Sequence, residues 1–128
     1  KKMEQACIKT VAGFLNSNGG TLLIGVADDG AIVGVEEDGF PNADKFLLHL
    51  GNLLKSSLGK NAVMLVQTRV VSVSDKLVCI VDCARSAEAV FCSQKNTDDL
   101  FYVRQGPSTE VLSGRDVVRY IQETGMKA

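Results

Sequence analysis

The sequence predicts an α+β fold, with a mixed sheet of about six strands and three helices. Apolar residues recur at helical spacing in three segments, and short aliphatic or β-branched runs lie between glycine-rich or polar turns. At 128 residues with 45% hydrophobic content, the chain has the size of one domain with a buried core. Residues 1–128 are therefore expected to form a single domain.

The first predicted helix ends near Asn16. Its single apolar stripe consists of Cys7, Ile8, Val11, Phe14 and Leu15. Asn18-Gly19-Gly20 follows and accepts the positive φ angles that end a helix. The apolar run 21–26 is typical of a strand covered on both faces. Asp29-Gly30 fits the centre of a two-residue hairpin turn, from which 31–35 would return as a strand.

The second helix has the clearest pattern in the chain. Asn42 or Asp44 can cap its start. Its apolar positions are Phe46, Leu47, Leu50, Leu53, Leu54 and Leu58. Residues 62–73 are rich in β-formers, Ser74-Asp75-Lys76 can turn, and 77–81 resembles a buried strand. These two strands are expected to pair as a hairpin.

Two shorter strands are predicted at 89–92 and 100–104, separated by the polar loop 93–99. Ser113 with Asp116 three residues later resembles a capping box. The last helix would then use Val117, Val118 and Ile121 as its apolar face and end at Gly125.

The overall charge restricts how this chain can bind a polyanion such as a nucleic acid. Fourteen basic and fifteen acidic residues give a net charge of −1, so any nucleic-acid surface must be local. The acids crowd between Asp28 and Asp38, whereas four cations lie in the C-terminal quarter: Arg104, Arg115, Arg119 and Lys127. No apolar run approaches the roughly 20 residues of a membrane helix, and the first residues are too polar for a secretory signal. A cytoplasmic protein with no membrane partner is expected.

The cysteines and the histidine are expected to be structural. Each of the four cysteines lies in an apolar pattern and none forms a CxxC pair, which favours core thiols over a zinc site: Cys7, Cys79, Cys83 and Cys92. His49, between two leucines of the second helix, is expected to be partly buried.

One candidate site lies in the segment from Phe14 to Gly30. Its turns expose backbone N–H groups beside Asn18, Gly19 and Gly20, where an anion or phosphate could lie close to the chain. The alternative is a tight connection followed by a hairpin, and spacing alone favours that alternative.

A second motif is Phe101-Tyr102-Val103-Arg104-Gln105-Gly106-Pro107-Ser108-Thr109, which matches a Y-V-R-x-G-x-S-T element. Together with 14–30, Asp44-Lys45-Phe46 and Ala89-Val90-Phe91, it resembles the Schlafen AlbA-type domain, also described in bacteria as a divergent AAA-type ATP-binding domain or a transcriptional regulator. The resemblance implies an AlbA-like fold and DNA or RNA binding, commonly as the N-terminal part of a larger regulator.

Some Schlafen relatives cut structured RNA with three carboxylates. The resemblance matches Asp28 to the acid at the hairpin. The other two belong to an E-x-x-x-x-E-F-K-like strand before the first helix, and Glu4 does not sit in such a motif. Because the helix begins almost at Lys1, this first strand is absent. The chain is therefore expected to be a fragment of a longer protein. The rest of that polypeptide is an expected partner of this domain.

A lone Asp28 does not supply the several oxygen ligands of a divalent-metal nuclease site. No cofactor is expected for this chain alone, and Mg²⁺ or Mn²⁺ only if an upstream acidic strand is present. ATP hydrolysis by a P-loop would need G-x-x-x-x-G-K-[ST]. The nearest fragment, 51–56, lies in a predicted helix and lacks the second glycine.

Arg104 is the first candidate for a phosphate contact, with Gly106, Ser108 and Thr109 beside it, because a guanidinium offers a fork of donors and hydroxyls add more. The alternative for Arg104 is an ion pair with an acid. Arg115 and Arg119, four residues apart, could extend the patch or form a solvated helix face. Tyr102 could stack on a base or fill the core.

Three functions follow from these candidates. The first is a DNA- or RNA-binding module with little chemistry of its own. The second is an enzyme, either a metal-dependent ribonuclease or an ATP-using regulator completed by upstream residues. The third is an interaction or homo-oligomerisation module that uses exposed strand edges.

Overall fold

The structure, a computed structural model, describes residues 2–35, 42–93 and 99–128. It confirms the predicted α+β class. The elements in chain order are α1 (Lys2–Leu15), β1 (Gly20–Ile24), α2 (Ala43–Leu58), α3 (Lys60–Val63), β2 (Val66–Val73), β3 (Lys76–Cys83), β4 (Phe101–Gln105), β5 (Ser108–Leu112) and α4 (Arg115–Thr124). Within the described ranges no helix is both long and apolar enough to cross a membrane.

The strands form two antiparallel sheets rather than one mixed sheet of six. The larger sheet has the order β1-β3-β2, and the smaller one consists of β4 and β5. One face of the larger sheet packs on α1 and α2. Val81 and Cys79 of β3 are completely buried there, in the same core cluster as Val11 and Leu15 of α1. The central strand therefore carries most of the sheet's share of the core.

The β4 strand of the smaller sheet contacts two helices. β4 packs against α1, and its Phe101 ring meets the ring of Tyr120 on α4 at 5.8 Å between centroids. Phe101, Tyr102 and Val103 are consequently all buried. Tyr102 fills the core, so of its two predicted roles the structural one is correct.

Three features that depend on local sequence agree with the prediction. α2 starts where expected, because the Asn42 side-chain oxygen accepts a hydrogen bond from the Lys45 backbone N–H at 2.9 Å. The predicted hairpin forms between β2 and β3. Its turn holds Ser74 and Asp75 at φ 52° and 64°, the left-handed pair that a two-residue hairpin turn requires. Gly125 ends α4 in the left-handed conformation.

Several predicted strands are shorter or absent. Residues 62–63 belong to the one-turn helix α3, and β2 begins only at Val66. Segment 31–35 forms only a single bridge, Val26 with Ile32, and 89–92 only a bridge from Cys92 to Leu100. Conversely, β5 was not predicted. The predicted acidic turn at 36–39 and the middle of the loop 93–99 lie outside the described residues.

Two predicted turns differ in detail. The Ala27 N–H donates to the Ala31 oxygen and the Gly30 N–H to the Ala27 oxygen. The hairpin loop therefore has three residues, with Asp28 and Asp29 at its centre and Gly30 at φ 88°. The predicted capping box is also wrong: Gly114 is the N-cap of α4 and makes no side-chain cap hydrogen bond.

The four cysteines are all free and buried, as expected for core thiols. His49, in contrast, is not partly buried as predicted. Its ring is exposed on α2 and pairs with the Glu4 carboxylate of α1. This pair links the two helices at the surface.

Candidate nucleic-acid interface

Arg104 lies at the end of β4, where the hairpin to β5 holds its guanidinium. Its Nη1 donates to the Thr109 hydroxyl at 2.7 Å and its Nε donates to the Gly106 carbonyl at 3.2 Å. Arg104 and Thr109 are direct partners in the antiparallel register, so their side chains stand on the same face. The Y-V-R-x-G-x-S-T motif thus forms one local unit.

Phe14 of α1 lies beneath this cation. The guanidinium carbon of Arg104 is 5.1 Å from the centroid of the Phe14 ring, a cation–π distance. The contact exists because α1 packs across β4. Sequence reasoning placed Phe14 only in the apolar stripe of the first helix.

The glycine turn after α1 lies against the same ring. A Cβ added to Gly20 would be 2.7 Å from two atoms of the Phe14 ring, and one added to Gly19 would be 2.6 Å from the Cys83 carbonyl. Gly19 has φ 77°. Close packing therefore requires both glycines, and backbone conformation also requires Gly19, which supports the structural alternative for this turn. Asn18 is exposed beside them.

A buried asparagine ties the site to the core. Asn16 is 1% exposed. Its amide nitrogen donates to the carbonyls of Val90 and Tyr102, both at 2.8 Å, and its side-chain oxygen accepts from the Val90 N–H at 2.9 Å. The sequence analysis used Asn16 only as the end of a helix. The signal for its role was a polar residue directly after an apolar stripe.

Ser17 and Tyr120 connect the site to α4. The Arg104 N–H donates to the Ser17 hydroxyl at 2.9 Å. The Tyr120 hydroxyl donates to the Asn16 carbonyl at 2.5 Å and lies 3.4 Å from the Ser17 hydroxyl. α1, β4 and α4 thus converge on the backbone of Arg104.

The charge of Arg104 is not neutralised within the part of the chain that the structure describes. No carboxylate there lies within ion-pair distance of its guanidinium, so the ion-pair alternative is not found. Both intramolecular acceptors are neutral, and Nη2 has no protein acceptor among the described residues. Ser108 and Gly106 are exposed next to it. The arrangement can offer N–H donors and a positive charge to an anion.

The other predicted site residues are less closely connected. Arg115 and Arg119 are exposed on α4, and no hydrogen bond joins either one to Arg104 within the described ranges. Asp28 is exposed at the tip of the 27–31 hairpin. Among described side chains, no three His, Cys, Asp or Glu residues converge in a way that could hold a metal ion. The P-loop-like fragment 51–56 is helical, within α2.

Comparison with known proteins gives a family and a fold. No curated protein matches the chain. The solved DIP2311 protein from Corynebacterium diphtheriae is similar, with a TM-score of 0.69 and 20% identity over 94% of this chain. The chain spans 22% of that protein's length. The family described as "Schlafen, AlbA_2" matches residues 1–113, and this chain therefore belongs to the Schlafen AlbA_2 family.

Proposed function

We propose that this domain is a DNA- or RNA-binding module that contacts phosphates through Arg104 and the β4–β5 hairpin. The observation that carries the proposal is the guanidinium of Arg104, which is held in place by neutral groups and forms no ion pair with an acid in the described ranges. A cation already oriented by the protein loses less side-chain entropy on binding than a freely rotating one. Such preorganisation favours a binding role over a solvated surface charge.

The neighbouring groups fit contact with a phosphate oxygen. A guanidinium presents its donors in a planar fork, and the exposed Ser108 hydroxyl on the same hairpin adds a further donor. Contacts of this kind position a nucleic acid without reading its sequence. Membership of the Schlafen AlbA_2 family is compatible with such binding.

The charge balance determines how strong the binding should be. With a net charge of −1, the domain has no general attraction for polyanions, so the contact depends on a local patch. Arg115 and Arg119 extend this patch in our proposal, because they are exposed on α4, whose Tyr120 hydroxyl donates to the Asn16 carbonyl. We expect binding that is measurable at low salt and falls steeply as salt is added.

Fluorescence anisotropy with labelled DNA and RNA oligonucleotides at low salt tests this function. The variant is Arg104→Ala. The matched control is Arg69→Ala, at an exposed arginine on β2 whose guanidinium lies 3.9 Å from the Asp82 carboxylate. Arg104→Ala should weaken binding several-fold and Arg69→Ala should not. Equal affinities for all three proteins, or no binding by the wild type, would contradict the proposal.

Self-association is a second candidate function, favoured by the position of β2. This strand is an edge of the larger sheet in the order β1-β3-β2, and it is eight residues long. Edge strands of this length can pair with another copy. Light scattering across a concentration series tests the idea: a dimer that Val71→Lys disrupts would support it, and a monomer at every concentration would exclude it.

A further inference from the structure

A second concave surface lies away from the Arg104 hairpin. It is a cleft of about 600 Å³ between the α2–α3 corner and residues 86–91, within the size range of ligand sites. Its polar and aromatic lining includes Lys60, Asn61, Glu88, Phe91 and Lys127. None of the functions considered above uses this cleft.

Phe91 presents an aromatic ring from a rigid part of the wall. Its side chain is 38% exposed, and its ring packs on that of the buried Phe101 at 5.2 Å between centroids. The preceding residue, Val90, is held through both its N–H and its carbonyl by the side chain of Asn16. The Phe91 ring is therefore anchored on one side and accessible on another, as a stacking platform requires.

Two lysines lie in the same cleft. Lys127 is fixed by its backbone, since its N–H donates to the Ala87 carbonyl at 3.0 Å and its carbonyl accepts from Ala89 at 2.7 Å. Lys60 begins α3 on the opposite wall. Neither ammonium forms an ion pair with an acid in the described parts of the chain.

The charges of the lining select the kind of ligand. Two lysines and one glutamate, Glu88, leave the cleft with a net charge of +1, which favours an anionic ligand. The Asn61 amide offers both donors and an acceptor. These groups match the parts of a nucleotide. The aromatic ring can stack on the face of the base, the two lysines can contact the phosphate, and the amide can bond to the edge of the base.

We propose that the cleft accepts an unpaired nucleotide of a single-stranded nucleic acid, with its base on Phe91 and its phosphate near Lys60 and Lys127. The inference rests on the proposed nucleic-acid binding and adds a preference for single strands, because a base must leave its duplex to stack on a side chain. Lys127 lies outside the family match of residues 1–113. The cleft therefore includes a segment that the family match does not cover.

Anisotropy titrations with one oligonucleotide, presented as a single strand and as a duplex, test this inference. Phe91→Leu keeps apolar volume against Phe101 but loses the stacking face, and Phe91→Tyr retains it. The double variant Lys60→Gln and Lys127→Gln removes the cations. Lys45→Gln is the charge control, since Lys45 is exposed near the opposite end of α2. Thermal unfolding checks that each variant is folded.

Phe91→Leu should weaken single-strand binding by about tenfold, from the loss of one stacked base, and leave duplex binding unchanged. Phe91→Tyr and Lys45→Gln should bind as the wild type does. If both Phe91→Leu and the double lysine variant bound the single strand as tightly as the wild type does, the cleft would not be a nucleotide site. If Arg104→Ala still weakened binding in that case, the proposed function would stand without the cleft. If the wild type bound neither the single strand nor the duplex, both the cleft proposal and the proposed function would be contradicted.

Discussion

The guanidinium of Arg104 rests 5.1 Å from the centroid of the Phe14 ring, so a helix and a hairpin that are 90 residues apart in sequence share one contact. The backbone at Gly20 lies so close to the same ring that it leaves no room for a side chain. The glycine turn and the arginine motif are therefore parts of one arrangement. In this account the turn supports the cation.

Gly20→Ala tests that support. The added Cβ would be 2.7 Å from atoms of the Phe14 ring, so the ring must move and the position of Arg104 changes with it. We expect the free energy of unfolding to fall by about 1–3 kcal/mol, as in other overpacked sites, together with weaker oligonucleotide binding. Urea unfolding and anisotropy measure the two effects.

Gly51→Ala is the matched control for this substitution. A Cβ at Gly51, inside α2, meets nothing within 4 Å, so alanine should stabilise the helix by up to about 1 kcal/mol and leave binding unchanged. Gly20→Ala protein with wild-type stability and affinity would show that the turn does not support Phe14.

Asn16→Ala tests the buried network. The substitution leaves the Val90 N–H, the Val90 carbonyl and the Tyr102 carbonyl without the partner they have now. Because an unsatisfied buried polar group costs about 1–3 kcal/mol, we expect a loss of at least about 2 kcal/mol in chemical unfolding. Asn52→Ala, at an exposed position of α2, should cost nothing. A similar result for both variants would be evidence against the network.

The Glu4–His49 pair predicts a pH dependence. The hydrogen bond from His49 is the main reason why the pKa of the Glu4 carboxyl lies below its ordinary value of 4.5. A depressed folded-state pKa adds stability above the unfolded pKa, and this stability is lost as the pH falls through the folded pKa. Wild type should therefore melt above His49→Gln at pH 6, and the difference should shrink towards pH 3. A difference that grows on acidification would contradict this assignment.

The cysteines should be chemically silent in the native state. Burial raises the pKa of Cys7 and Cys83 to about 12 and that of Cys79 to about 11, so little reactive thiolate forms at pH 8. A thiol reagent such as DTNB should label all four cysteines rapidly in denaturant and very slowly without it. Rapid labelling of the folded protein would show that the helix–sheet core opens readily.

Local signals made α2 and the β2–β3 hairpin predictable. The Asn42 cap and the left-handed Ser74-Asp75 turn are both set by a few neighbouring residues. β5 was missed because Ser108–Leu112 has only two apolar residues, and its pairing comes from β4. Segment 89–92 was predicted as a strand, yet the Asn16 side chain supplies both backbone partners of Val90.

In the candidate site, too, contacts between neighbouring residues were predictable and contacts between distant elements were not. The proximity of Arg104, Gly106 and Thr109 follows from the hairpin and was expected from the motif. The Phe14 ring beneath Arg104 and the Tyr120 hydroxyl near Ser17 arise from packing between distant elements, which no spacing in the sequence indicates. His49 was expected to be partly buried because it stands between two leucines. Its exposed pairing with Glu4, 45 residues away, has no local signal in the sequence.

The salt dependence of oligonucleotide binding by Arg104→Ala and wild type tests the central claim most directly. If Arg104 contacts a phosphate, the slope of log K against log salt concentration should be shallower in Arg104→Ala by about 0.9 on duplex DNA or about 0.7 on a single strand. Arg104→Lys, which keeps the charge but loses the fork, should retain the wild-type slope with weaker affinity. Identical slopes and affinities for wild type and Arg104→Ala would contradict the account.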